Sequence, residues 1–263
     1  MAGLKNTTIA GGYKSILRVD DNNGISSSSI RCTDGDGVNS CMKISNSKLE
    51  VAPSSDGDTL RVFSSGGSDI LRVNTSVPYV RALGHSVNTQ YAYFGVNYND
   101  FSHSAANTHY PIPFGGANGG GSTTNDVDFG TGTDPDTTFT TADTDTQYAS
   151  QIVPMMWLVP DNITIDDVYA FVGADAATGD SATRLHLFQY TFNSGSTSAL
   201  TSGSVIAHST SDTNNAGNEQ AYKTTLTKDV TDIDADKVIL AFFRSDSVNS
   251  DYSINITVKY HLR

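Results

Sequence analysis

The side chains best equipped for chemistry lie between positions 98 and 110, where His103 and His109 sit on either side of SAAN, with Tyr98, Phe101 and Tyr110 close by in the chain. Two imidazoles can ligate a metal, but their spacing of six residues matches no common zinc pattern. The competing reading is a polar loop with stacked rings. Two Asp-rich turns, DGDG at 34–37 and DTDTQ at 143–147, offer the oxygen ligands that Ca²⁺ prefers. No complete Ca²⁺ loop is present, since DDNNG at 20–24 lacks the acidic residue expected beyond its glycine. The expectation is no bound metal and no cofactor, with Ca²⁺ at the Asp-rich turns left open.

Catalysis has few candidates. Cleavage of a glycan needs two carboxylates facing one groove. Asp166 and Asp167 are adjacent, and consecutive residues of a regular strand point to opposite faces, which argues against them. The chain contains no G-x-S-x-G elbow, P-loop or dinucleotide-binding glycine pattern. A non-enzymatic role is expected. Cys32 and Cys41 are too few for a disulfide framework and match no zinc or redox spacing. They read as buried free thiols or as one bridge between adjacent strands.

Composition indicates the elements that must carry these residues. Ser, Thr, Asn, Asp and Gly dominate the 263 residues, and glutamate occurs only at Glu50 and Glu219. Such residues compete with helical hydrogen bonds and favour turns, so an all-β protein is expected. At 37% hydrophobic, the chain has material for one large domain or two of modest size. No apolar run is long enough to span a membrane as a helix. The opening MAGLKNTTIAGGYKS lacks the apolar core of a secretory signal, so the chain is expected to stay in the compartment that makes it. Residues 1–84 carry nine Lys/Arg against eight Asp/Glu, whereas residues 85–263 carry seven against twenty. This split suggests two regions with different tasks. With no basic stripe to displace counterions from phosphates, neither nucleic acid nor a membrane is an expected partner.

The first third is repetitive. An apolar–charged–apolar triplet occurs seven times: Leu17-Arg18-Val19, Ile30-Arg31-Cys32, Met42-Lys43-Ile44, Leu49-Glu50-Val51, Leu60-Arg61-Val62, Leu71-Arg72-Val73 and Val80-Arg81-Ala82. In a strand each triplet points two apolar groups one way and one charge the other. The spacers DDNNG, TDGDG, PSSDGD and SSGGSD are turn-makers. Two inward side chains per unit cannot offset the entropy of ordering a strand and a turn, so the apolar face needs cover. A single-chain β-solenoid or a shaft of three chains around a common axis would supply it. Short units of uneven length favour the trimeric shaft, of β-prism or triple-β-helix type, whereas an ordinary meander leaves the recurring charged centre unexplained. Leu17, Val19, Ile30, Met42, Ile44, Leu49, Val51, Leu60, Val62, Leu71 and Val73 would face the axis, and the charged residues solvent.

Beyond Gly84 the strand-like runs lengthen: TQYAYFGV at 89–96, SQIVPMMWLV at 150–159, VYAFVG at 168–173, TRLHLFQYTF at 183–192, SVIAHS at 204–209, AYKTTLT at 221–227, KVILAFFRS at 237–245 and YSINITVKYHL at 252–262. In the last, Ile254, Ile256 and Val258 share one face and Asn255, Thr257 and Lys259 the other. Eight such strands predict a β-sandwich of jelly-roll type. Residues 115–147 form a Gly/Thr/Asp-rich stretch whose few apolar residues include Val127, Phe129 and Phe139; a linker or a long loop laid over a neighbouring subunit is expected.

This layout resembles the trimeric fibre and spike proteins of tailed bacteriophages. VPDNITIDDVYAFVGADAATGDSATRLHLFQYTF, with DADKVILAFFRSDSVNSDYSINITVKYHLR after it, is similar to a C-terminal domain of marine phage virion proteins. The resemblance implies a homotrimer in the virion, assembled in the host cytoplasm. Residues 1–14 would anchor on capsid, collar or tail, 15–84 form the shaft and 85–263 the head. Contact with a host surface glycan or protein would fall to head loops, the candidate being Tyr98, Phe101, His103, His109 and Tyr110. A capsid-decorating fibre without a specific receptor, or a glycan-depolymerising tailspike, would be the alternative roles.

Overall fold

Antiparallel pairing of sequence neighbours turns the repeated triplets into sheets. The structure, a computed structural model, describes residues 18–19, 27–33, 39–53, 55, 57–76, 79–96, 105–115, 127–142, 149–176, 180–210, 213–216, 220–246 and 250–263. The chain divides into two compact units, Met1–Val87 and Asn88–Arg263.

The first unit holds two four-stranded meanders. One comprises β1 (Arg18–Val19), β2 (Ile30–Thr33), β3 (Asn39–Ile44) and β4 (Leu49–Val51); the other comprises β5 (Asp58–Phe63), β6 (Asp69–Asn74), β7 (Tyr79–Ala82) and β8 (His85–Ser86). Each strand pairs antiparallel with the next in sequence, so within the chain these are ordinary meanders and not solenoid coils. Register explains the recurring charge. Arg61 pairs with Arg72 and Arg72 with Arg81, which places three guanidinium stems in one row. A two-residue turn closes β7 onto β8: Ala82 pairs with His85, and Leu83 and Gly84 both have positive φ, as a type I′ hairpin requires.

The second unit is a β-sandwich. Its strands are β9 (Thr89–Val96), β10 (His109–Ile112), β11 (Trp157–Leu158), β12 (Ile163–Ala176), β13 (Asp180–Phe192), β14 (Leu200–His208), β15 (Thr213–Ala216), β16 (Gln220–Thr225), β17 (Thr227–Lys228), β18 (Asp232–Ile233), β19 (Lys237–Ser245) and β20 (Ser250–Leu262). One sheet has the order β16-β12-β20-β9, with β18 also on β12; the other runs β10-β19-β13-β14-β17, with β11 on β19 and β15 on β13. Period-two alternation sends Phe94, Val168, Ala170, Ile254 and Ile256 from one sheet, and Ile112, Leu185, Leu187, Ile239 and Phe243 from the other, into a shared core.

Two stretches differ from the sequence reading. SQIVPMMWLV is not one strand: a short helix α1 (Ala149–Ile152) leads into a 3₁₀ turn at Val153–Met155, and only Trp157–Leu158 pair. Pro154 has no N–H for a ladder and suits the start of a helical turn. Segment 127–142, part of the expected loop over a neighbour, instead packs on its own chain. Val127, Phe129 and Phe139, joined by Ile152, cover Phe188, Tyr190, Leu240 and Phe242 on the outer face of the second sheet.

Candidate functional site

The first unit presents its two meander faces very differently. On the second meander Leu60 pairs with Val73, Val62 with Leu71, Val73 with Val80 and Leu71 with Ala82, so these six side chains share one face. On the first, Ile30, Met42, Ile44, Leu49 and Val51 do the same, while Arg31, Lys43 and Glu50 line the opposite side. The apolar faces are open: Leu49 is 63% exposed and Leu60 and Val62 43% each, with Val51 exposed and Ile30, Met42, Ile44, Leu71 and Val73 half-buried. Among the described residues of this unit only Cys32, Thr33 and Ser45 are buried. Of the other expected axis residues, Leu17 lies outside the described residues and Val19 is described in its backbone alone.

The charged rows are held by local partners. Arg61 donates to Asp69 at 2.8 Å, and Arg72 to Asp58 at 2.6 Å, where Asn74 also donates. The Arg61 guanidinium lies 4.6 Å above the Phe63 ring. These contacts counter the repulsion of like charges on adjacent strands. They also hold the Asp58 carboxyl below its usual range, chiefly through the Arg72 hydrogen bond. Exposed pairs of this kind stabilise little, so the row acts mainly by keeping that face wet. Cys32 is buried and Cys41 exposed, both as free thiols.

In the second unit His109 and Tyr110 are buried strand residues of β10, which corrects their expected place in an exposed contact loop. Segment 127–142 docks against this strand: the His109 N–H donates to Gly130 O, Phe129 N–H donates to His109 O, and His109 Nδ1 lies 3.1 Å from Gly130 O. Tyr98, Phe101 and His103 lie outside the described residues, as do the Asp-rich turns at 34–37 and 143–147 and residues 1–14. Next to His109 stands His186 on β13, and beyond His186 lies His208 on β14; sequence reasoning does not single out either, although their alternation with apolar residues in RLHLF and VIAHS is the available signal. Burial pushes His109 down to about 4 and His186 to about 3, so both are neutral near pH 7. Asp134, 3.5 Å from His186 Nε2, therefore makes no ion pair there at neutral pH. No three His, Cys, Asp or Glu side chains among the described residues form a group able to hold a metal ion.

Asp166 and Asp167 do not lie on opposite faces as strand alternation implies. A bulge in β12 between Ile165 and Asp167 breaks the alternation, and both carboxylates engage partners on the outer face of the sheet. Asp166 accepts from His261 at 3.0 Å, and Asp167 lies 3.8 Å from Lys259 and 3.9 Å from Lys228. The same face carries Tyr91, Tyr93, Tyr169 and Phe171, readable as i, i+2 aromatic pairs in QYAYF and VYAFV but not singled out from sequence. No family model matches the chain, and comparison with curated proteins finds no match. No helix among the described residues is long and apolar enough to cross a membrane.

Proposed function

We propose that this chain is a non-enzymatic structural protein of a virus particle, a homotrimeric fibre or spike. Its first unit would form the shaft and its second the head that meets the host surface. The observation that carries this reading is the first unit's want of a core: two meanders each expose one continuous apolar face opposite a charged row. An apolar face left uncovered contributes little hydrophobic stabilisation, and a unit this small has no other core to draw on. Three copies around an axis would bury these faces and leave Arg61, Arg72, Lys43 and Glu50 in solvent, the arrangement of a β-prism.

The strand orders β9-β20-β12-β16 and β10-β19-β13-β14 support a jelly-roll reading of the second unit, two four-stranded sheets interleaved along the chain. The role is kept non-enzymatic because Asp166 is already engaged by His261, and Asp167 by Lys259 and Lys228. Virion localisation and anchoring through residues 1–14 on capsid, collar or tail belong to the same proposal. Antibodies against residues 88–263 test it: they are expected to decorate purified particles and block adsorption. Particles that never carry the protein would overturn it.

A further inference from the structure

On the outer face of the β16-β12-β20-β9 sheet, register sets two aromatic pairs on either side of a polar strand. Tyr169 pairs across to Thr257 and Thr257 to Tyr93; Phe171 pairs to Asn255, which faces Gly95; Asp167 pairs to Lys259, which faces Tyr91. The inward neighbours Ala92, Phe94, Ala170, Val172, Ile256 and Val258 are buried, so these side chains project outward. Tyr91, Tyr93 and Phe171 are 53%, 46% and 56% exposed. The result is a furrow floored by Asn255, Thr257 and Lys259 and railed by aromatic rings two strand spacings apart, roughly 9.6 Å. Gly95, without a side chain, leaves it open at one corner. Lys223 lies 5.8 Å above the Tyr169 ring.

The geometry points to this furrow as a binding site for a neutral glycan built of hexopyranose units. Such a sugar has apolar C–H faces that stack on Tyr and Phe rings, and edge hydroxyls that hydrogen-bond with an amide, a hydroxyl and an ammonium, the groups that floor the furrow. A protein partner fits poorly. At about half exposure, three aromatic residues offer roughly 300 Å² of ring surface, well under the ~800 Å² per partner of a stable protein interface. A polyanion fits poorly as well. Lys259 is neutralised by Asp167 at 3.8 Å, and residues 85–263 carry seven Lys/Arg against twenty Asp/Glu, which repels anionic polymers.

This inference rests on the reading of the second unit as the part that meets a host surface, but its test is separate. The full-length protein is run in native gels containing hydroxyethyl cellulose, laminarin, galactomannan or dextran, with chondroitin sulfate as the polyanion. Retardation by at least one neutral polymer is expected, and Tyr93→Ala or Phe171→Ala should weaken it at least tenfold. Leu158→Ala, an exposed residue on the other sheet, should leave it unchanged. Variant mass and Trp157 fluorescence are checked to remain those of the parent. The site is overturned by no retardation in any neutral polymer, by retention confined to chondroitin sulfate, or by undiminished binding in both variants. A changed oligomeric mass in the variants overturns it in favour of an interface between copies of the chain. Sugar binding by a protein absent from particles would sink the fibre reading alone; particle decoration without sugar binding would sink this site alone.

Discussion

The rings of His109 and His186 meet edge to face in the second unit, their centroids 5.0 Å apart, both buried beneath the segment that contains Gly130 and Asp134. Around them stand Arg184 and Arg244 on the same face, His208 on the neighbouring strand, and Asp128 and Asp134 on the covering segment. His109 Nε2 and His186 Nδ1 find no hydrogen-bond partner among the described residues, so burial falls wholly on the ring's ability to stay neutral.

That pairing sets an acid sensitivity. Both folded-state values lie below the ordinary 6.5, at about 4 and about 3, so over this range the unfolded chain binds more protons. Stability is therefore full above pH 6.5 and falls as the pH drops toward 4, by a few kcal/mol in sum. Asp136, raised by its burial and by Asp128, works in the opposite sense at the acid end. Urea midpoints followed by Trp157 fluorescence should decline between pH 7 and 4.5, and His186→Gln should flatten the decline. A midpoint that does not move with pH contradicts the buried neutral pair.

The apolar face of the second meander predicts an assembly variant. Leu71→Asp places a charge amid Leu60, Val62 and Ala82, and is expected to give a single-chain species in light scattering. The only tryptophan, Trp157, lies in the second unit, so its fluorescence should stay native and separate lost assembly from general unfolding. An unchanged oligomer would show that this face is not an interface.

Segment 127–142 is fixed to its own sheet tightly enough to exclude a methyl group. A Cβ at Gly203 would lie 2.5 Å from Tyr190 Cε1 and 2.8 Å from Thr137 Cα, backbone that cannot swing aside. Gly203→Ala should cost about 1–3 kcal/mol. Phe129→Ala removes a ring that stacks on Phe139 at 5.1 Å and lies tilted against Phe242 at 4.7 Å, and should cost about 3–5 kcal/mol. Unfolding midpoints check both, and near-parental values would mean that the segment does not seal this face.

The cysteines report which side of the first meander faces solvent. Cys41 is exposed on the side of Lys43, and Cys32 is buried on the side of Ile30. One thiol per chain should react with a thiol reagent in the native assembly, and both after denaturation. Two fast thiols in the native protein would contradict the orientation.

Local pattern was legible wherever burial follows the strand period. Ile254, Ile256 and Val258 are buried and alternate with Asn255, Thr257 and Lys259, as their sequence implies. KVILAFFRS forms β19 with the bounds read from sequence. What escaped depends on contacts distant in the chain. His109 looks like a loop residue until Gly130 and His186 close over it, and the Asp166 bulge obeys no composition rule. The aromatic furrow needed the order of three strands, β12, β20 and β9, which no single stretch encodes.

The first unit is proposed to complete its core only with sister chains. Sedimentation equilibrium of the full-length protein from nanomolar to micromolar concentration, with amide exchange on the same samples, tests it most directly. A mass three times 27.9 kDa is expected, with protection of Leu60–Val73 amides that disappears as the complex dissociates. A stable 27.9 kDa species that keeps those amides protected would contradict it.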